Sequence, residues 1–148
     1  MYDVIIVGAR CGGSPTAMLL ARRGYKVLVV DKASFPSDTL STHYIHQPGI
    51  ATLNRWGLLR QIQESNCPPI NRYTIDFGAL TLKGSPPPAD GMDSGYCPRR
   101  TVLDKILVDA ARSAGAEVRE GFVVKELVTN NGVIQGIRGS TRTNPPIV

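Results

Sequence analysis

One stretch, Asp3 to Asp31, leaves a chain of this kind few ways to fold. Val4 to Val7 form a continuous β-branched run stopped at once by Gly8, the pattern of a strand buried on both faces of a parallel sheet. A glycine-rich turn follows. From Gly13 to Arg23 the chain is rich in Ala and Leu, with Arg22 and Arg23 opposing the C-terminal dipole and Gly24 in the stop position, so the spacing predicts a helix. Val27 to Val30 repeat the buried-strand pattern and end in Asp31. Strand, tight turn, helix, strand and acid together make one βαβ unit.

The physics of that unit favours a particular ligand. A helix N-terminus carries unpaired N–H groups and roughly half a positive charge, so it holds a pyrophosphate without any cationic side chain. An acid about 20 residues further on, at the tip of the second strand, accepts hydrogen bonds from a ribose, and Asp31 stands there. The expectation is a dinucleotide. One position departs from the usual Gly-x-Gly-x-x-Gly pattern: Gly8 and Gly13 fill the outer places, but Arg10 occupies the middle one, where a Cβ costs room near the phosphates. Arg10 either swings its guanidinium outward and clamps the pyrophosphate or weakens binding outright. The intact remainder of the fingerprint favours the clamp.

At 148 residues the chain is expected to form one domain with a real core. The net charge of +5 is mild and the cations are scattered, which suits an anionic cofactor and gives no pointer to nucleic acid. Cys11, Cys67 and Cys97 make an odd count without Cys-x-x-Cys spacing, which predicts a reducing compartment with neither a disulfide frame nor a zinc site. No charged-then-apolar leader and no run near 18 apolar residues is visible, so the expectation is a soluble, cytoplasmic protein without a membrane span.

Between Lys32 and Gln47 hydroxyls abound and apolar periodicity is missing, which predicts a loop passing over the ligand end of the sheet, with Thr39, Ser41 and Thr42 as candidate contacts. Pro48 and Gly49 start a helical stretch from Ile50 to Trp56, broken by Gly57 and resumed through Ile62, with Trp56 and the leucines expected in the core. His43 and His46 stand three apart, but no third ligand accompanies them and no metal is predicted. His43 beside a cofactor is a weaker candidate for proton donation. Tyr73 to Phe77 and Leu80 to Leu82 read as two short strands joined near Gly78, and the Ser85–Gly91 segment as a loop. Thr101 with Asp104 resembles a capping box opening a helix, with Leu103, Ile106, Leu107, Ala110, Ala111 and Ala114 on one face and Gly115 as its end. Arg100 precedes that helix, either at an anionic site or on the surface. Glu117 to Arg119 and Phe122 to Val128 read as strands, and Asn130-Asn131-Gly132 turns into Val133 to Arg138. No sheet pattern is legible from Ser140 to Val148.

Four marks resemble the FAD-dependent oxidoreductases related to p-hydroxybenzoate hydroxylase, a group of aromatic-ring monooxygenases and geranylgeranyl reductases. They are Asp-Val-Ile-Ile-Val-Gly at the start, Val-Val-Asp-Lys followed by Phe-Pro, Pro-Gly-Ile-Ala-Thr-Leu-Asn-Arg-Trp-Gly-Leu-Leu, and Arg100-x-x-Leu103-Asp104-x-x-Leu107. The resemblance covers nearly the whole chain. It implies an α/β, Rossmann-like FAD-binding domain with a parallel sheet and a small antiparallel β element. It also implies the flavin pyrophosphate over Gly8, Arg10, Cys11, Gly12 and Gly13, and the adenosine ribose on Asp31 with Lys32 beside it. Val124 would meet the adenine through its backbone, Thr39 to Thr42 would lie beside the ribityl chain and ring, and Arg100 would face the cofactor.

The family's later Gly-Asp motif and its substrate domain do not occur in these residues, so residues 1–148 are expected to be the N-terminal part of an FAD-binding domain. No residue is marked as catalytic, since in this chemistry the reactive centre is the flavin. The leading expectation is a monooxygenase reduced by NAD(P)H and acting on a small organic substrate. Its rivals are a flavin-dependent reductase of prenyl double bonds, whose members carry Cys-Gly-Gly where this chain has Leu40-Ser41-Thr42, and a non-catalytic dinucleotide-binding fragment. Oligomeric state is not legible.

Overall fold

The computed structural model describes residues 1–141 and 144–147. In chain order the elements are β1 (Val4–Val7), α1 (Gly13–Ala21), β2 (Val27–Val30), α2 (Gln47–Arg55), α3 (Leu59–Glu64), β3 (Pro69–Ile70), β4 (Tyr73–Asp76) and β5 (Thr81–Gly84). They continue as β6 (Gly95–Tyr96), α4 (Arg100–Ser113), β7 (Glu117–Arg119), β8 (Phe122–Asn130), β9 (Val133–Thr141) and β10 (Asn144–Ile147). The chain folds as two units, one made of Met1–Ser37 with Leu103–Val148, the other of Asp38–Val102.

In the first unit β1, β2 and β7 form a parallel sheet in that order, with Val4 beside Val27 and Leu28 beside Glu117. β2, the central strand, is buried along its whole length, as its apolar run requires. β1 departs from the expected two-sided burial: among the described residues it is the edge strand, and Val7 stands 59% exposed. Alternation along β2 divides its side chains between two layers. Leu28 and Val30 form a cluster with Phe122, against which Tyr2, Ile5, Val124 and Ile137 pack. α1 packs against β2 and buries Ala17 and Met18 completely. This helix ends at Ala21, two residues short of the predicted Arg23, because Arg23 and Gly24 turn the chain by donating to the carbonyls of Leu20 and Ala21.

β8, β9 and β10 form an antiparallel sheet. β8 and β9 are joined by a two-residue turn, Asn131 at φ 49° and Gly132 at φ 77°, the positive pair that such a tight hairpin turn needs. β9 runs to Thr141, and β10 pairs with it across Pro145 and Pro146, where sequence gave no strand. As β10 lies at the sheet edge, a missing N–H is tolerated there. The rest of the Ser140 to Val148 reading, residues 142, 143 and 148, lies outside the described residues.

The second unit gathers α2, α3 and two small antiparallel pairs, β3 with β6 and β4 with β5. Ile50, Ala51, Leu53, Leu58, Leu59, Ile62 and Tyr96 are buried, but Trp56, expected in the core, is only half-buried because it caps the end of α2. The hairpin of β4 and β5 turns at Gly78 as predicted and is two-faced. Register places Ile75 opposite Leu82 on one face and Thr74 opposite Lys83 on the other. Ile75, Phe77, Leu80 and Leu82 are all exposed.

Candidate functional site

The turn between β1 and α1 is shaped by how closely the helix approaches the strand. A Cβ on Gly13 would stand 1.7 Å from the Gly8 carbonyl oxygen, so only glycine lets α1 begin where it does. A Cβ on Gly8 or Gly12 would meet nothing within 4 Å, which leaves the approach to the helix open. Gly12, the N-cap, contributes no side-chain cap, and the first turn of α1 holds no acid. The positive end of this nine-residue helix therefore has no side-chain anion of its own, and an external anion is favoured there.

Asp31, 8% exposed, directly follows β2 and supports this mouth. One carboxylate oxygen accepts the Ala9 N–H at 2.7 Å and the other the Ala33 N–H at 2.8 Å. Each oxygen has a second lone pair, so the group can still accept a hydroxyl while it ties the glycine turn to the strand end. A cavity of about 240 Å³ opens beside it, lined by Val7, Gly8, Val30, Asp31, Lys32 and residues of β8 that include Val124. Four residues expected to meet one ligand, Gly8, Asp31, Lys32 and Val124, are thus brought together.

Arg10 departs from the outward clamp. Its guanidinium turns inward: Nη1 donates to Asp104, Nη2 donates to the Ser37 hydroxyl at 2.9 Å, and the group lies 5.2 Å over the Phe35 ring. The cause is Asp104, a carboxylate with no exposed surface on the inner face of α4, which needs a cation beside it. The Cys11 thiol lies 3.4 Å from the other Asp104 oxygen. α4 starts at Arg100, so Thr101, expected to cap the helix, lies inside it, and Asp104 belongs to its buried stripe with Leu103, Leu107, Val108 and Ala111.

The second unit holds the remaining predicted residues. Thr39 lines a cleft of about 450 Å³ with Asp38, Leu40, His43, Cys97 and Arg99. Arg99 pairs with Asp38 and, with the Thr39 N–H, holds its carboxyl below the ordinary range. Burial pushes the Cys97 thiol up. The Ser41 hydroxyl accepts the His43 N–H at 3.1 Å, Thr42 is exposed, and Arg100 is half-buried as the first residue of α4. The His46 ring packs edge-on against Tyr44 at 4.4 Å. Sequence reasoning passed over Gln47, which is 2% exposed and whose amide nitrogen has no hydrogen-bond partner among the described residues. A buried amide donor left open is costly without a ligand or water. Its place just ahead of Pro48, at the start of α2, was the available signal.

Among the described residues no group of three or more potential metal ligands occurs, and no helix is long and apolar enough to cross a membrane. Residues 1–144 match the family described as the FAD binding domain. The chain is 27% identical over 138 residues to digeranylgeranylglycerophospholipid reductase 2 of Methanococcoides burtonii, covering 93% of this chain and 33% of that protein. It is 34% identical over 136 residues to the flavin-dependent monooxygenase pboD of Aspergillus ustus, covering 83% of this chain and 26% of that one. Among solved structures, the myxobacterial chondrochloren halogenase CndH, a variant of FAD-dependent halogenases, superposes with a TM-score of 0.86. That match covers 99% of this chain and 34% of the halogenase at 21% identity, a likeness of fold. The chain spans about a third or less of the length of these relatives.

Proposed function

Because this chain belongs to the FAD binding domain family, we propose that it is the N-terminal, cofactor-holding part of a longer flavin-dependent monooxygenase that takes electrons from NAD(P)H and acts on a small organic substrate in the cytoplasm. The carrying observation is the cleft beside the uncapped mouth of α1, where Gly8, Asp31, Lys32 and Val124 converge. These residues fit the group. The backbone of residues 8–13 receives the diphosphate at the helix N-terminus, and the free lone pairs of Asp31 accept the ribose hydroxyls. Lys32 supplies positive charge, and the Val124 backbone edges the adenine. FAD, when bound, supplies the redox chemistry, and the protein's share is to bind, orient and exclude water. No residue of the chain carries a catalytic assignment.

The likeness to a digeranylgeranylglycerophospholipid reductase supports a second reading, reduction of prenyl double bonds. Leu40-Ser41-Thr42 in place of Cys-Gly-Gly weighs against it. Purification with added FAD tests the cofactor reading: a yellow protein with one FAD per chain is expected. Colourless protein that takes up NAD instead overturns it. In the whole protein, NADPH oxidation stimulated by phenols supports the monooxygenase, stimulation by prenyl lipids supports the reductase, and neither leaves a bare binding module.

A further inference from the structure

The side chain standing where the fingerprint calls for its middle glycine is held by Asp104 and Ser37. Arg10 joins three segments of the first unit: its own turn, the Phe35–Ser37 segment and α4. Nη1 donates to Asp104 and, at 3.4 Å, to the Ser37 carbonyl, while Nη2 donates to the Ser37 hydroxyl. Phe35 lies under the guanidinium, and Asp104 has no solvent exposure. Such a carboxylate draws a cation strongly, because either charge left alone inside the protein is penalised heavily. Asp31 binds the residue just before Arg10 in the same turn.

We propose that Arg10 is a positioning residue of the diphosphate site. Paired with Asp104, it fixes the Ala9–Gly13 turn from behind and keeps its own bulk and charge out of the helix mouth, so that backbone N–H groups alone receive the ligand. The inference rests on the FAD reading and extends it. A positioning arginine and a phosphate-clamping arginine behave differently in salt, since a guanidinium on the diphosphate adds a screened attraction and one neutralised by Asp104 does not.

The test is calorimetric titration of ADP into the wild-type chain, Arg10→Gly, Asp104→Asn and the double variant, across a series of salt concentrations. Arg10→Gly is expected to weaken ADP by about tenfold, the scale of one charge-assisted contact, while keeping the wild-type salt dependence. Asp104→Asn steepens the salt dependence, because the released guanidinium is drawn to the phosphates. The double variant regains most of the lost affinity. Flattening of the salt dependence by Arg10→Gly would show a direct clamp and overturn the proposal, as would losses in the double variant that simply multiply. If Arg10→Gly does not fold, Arg10→Lys, which keeps the cation beside Asp104 but loses the second donor to Ser37 and the stacking on Phe35, is expected to weaken ADP while keeping the wild-type salt dependence, and a flattened salt dependence there overturns the proposal. Should the wild type bind neither ADP nor FAD, the cofactor reading falls. Melting temperatures of the four proteins without nucleotide then still read the pairing, and absence of coupling between Arg10 and Asp104 sinks it.

Discussion

A Cβ placed on Gly13 collides with the Gly8 carbonyl oxygen at 1.7 Å and its carbon at 2.9 Å. Neither atom can yield without moving β1 or α1, so Gly13→Ala is expected to cost at least about 3 kcal/mol, seen as a lower midpoint in denaturant melts. Glu117 gives a residue-scale prediction of another kind. The Tyr2 hydroxyl, and after it the Arg119 guanidinium, hold the Glu117 carboxyl below its ordinary value of 4.5. As pH falls, the unfolded chain takes up this proton before the folded one, so the contribution of Glu117 is present above about pH 4.5 and is lost below it. The stability difference between wild type and Glu117→Gln is expected to be level at neutral pH and to shrink in acid melts. Asp104 and Gln47 were the residues least legible beforehand. Apolar periodicity treats every polar side chain as a surface one, and both are buried by contacts far away in sequence or by a polar demand that no local pattern carries.

The elements themselves were largely legible, because β1 and β2 are apolar runs, α1 is an Ala- and Leu-rich run, and α2 and α4 carry an apolar period, with glycine or proline marking their limits. What was misread depends on neighbours. Four β-branched residues announce a strand, but whether it is central or marginal depends on pairing, and among the described residues β1 pairs with β2 alone. The Asn131-Gly132 turn shows local chemistry deciding an element outright. Both residues sit at positive φ, so Gly132→Val, a β-branched side chain forced there, is expected to cost about 1–2 kcal/mol. Hydrogen exchange should then show β8 and β9 opening more readily while β2 stays protected.

For the molecule as a whole, the formal charge of +5 and the open mouth of α1 both favour an anionic ligand. Since a ligand that binds only the folded state stabilises it by mass action, FAD at a hundred times its dissociation constant is expected to add about 2.7 kcal/mol, read as a higher melting temperature that declines as salt is raised. The βαβ signature made the candidate site legible because it is local, running from Val4 to Asp31, whereas the cleft beside it recruits Val124 from a distant strand. The hairpin of Tyr73 to Gly84 bears on handling. Its oily side, Ile75 with Leu82 and the Phe77 and Leu80 tip, faces water while Thr74 and Lys83 occupy the reverse. At high concentration such a surface is expected to adhere to its like or to any greasy probe, an association that detergent or dilution should reverse.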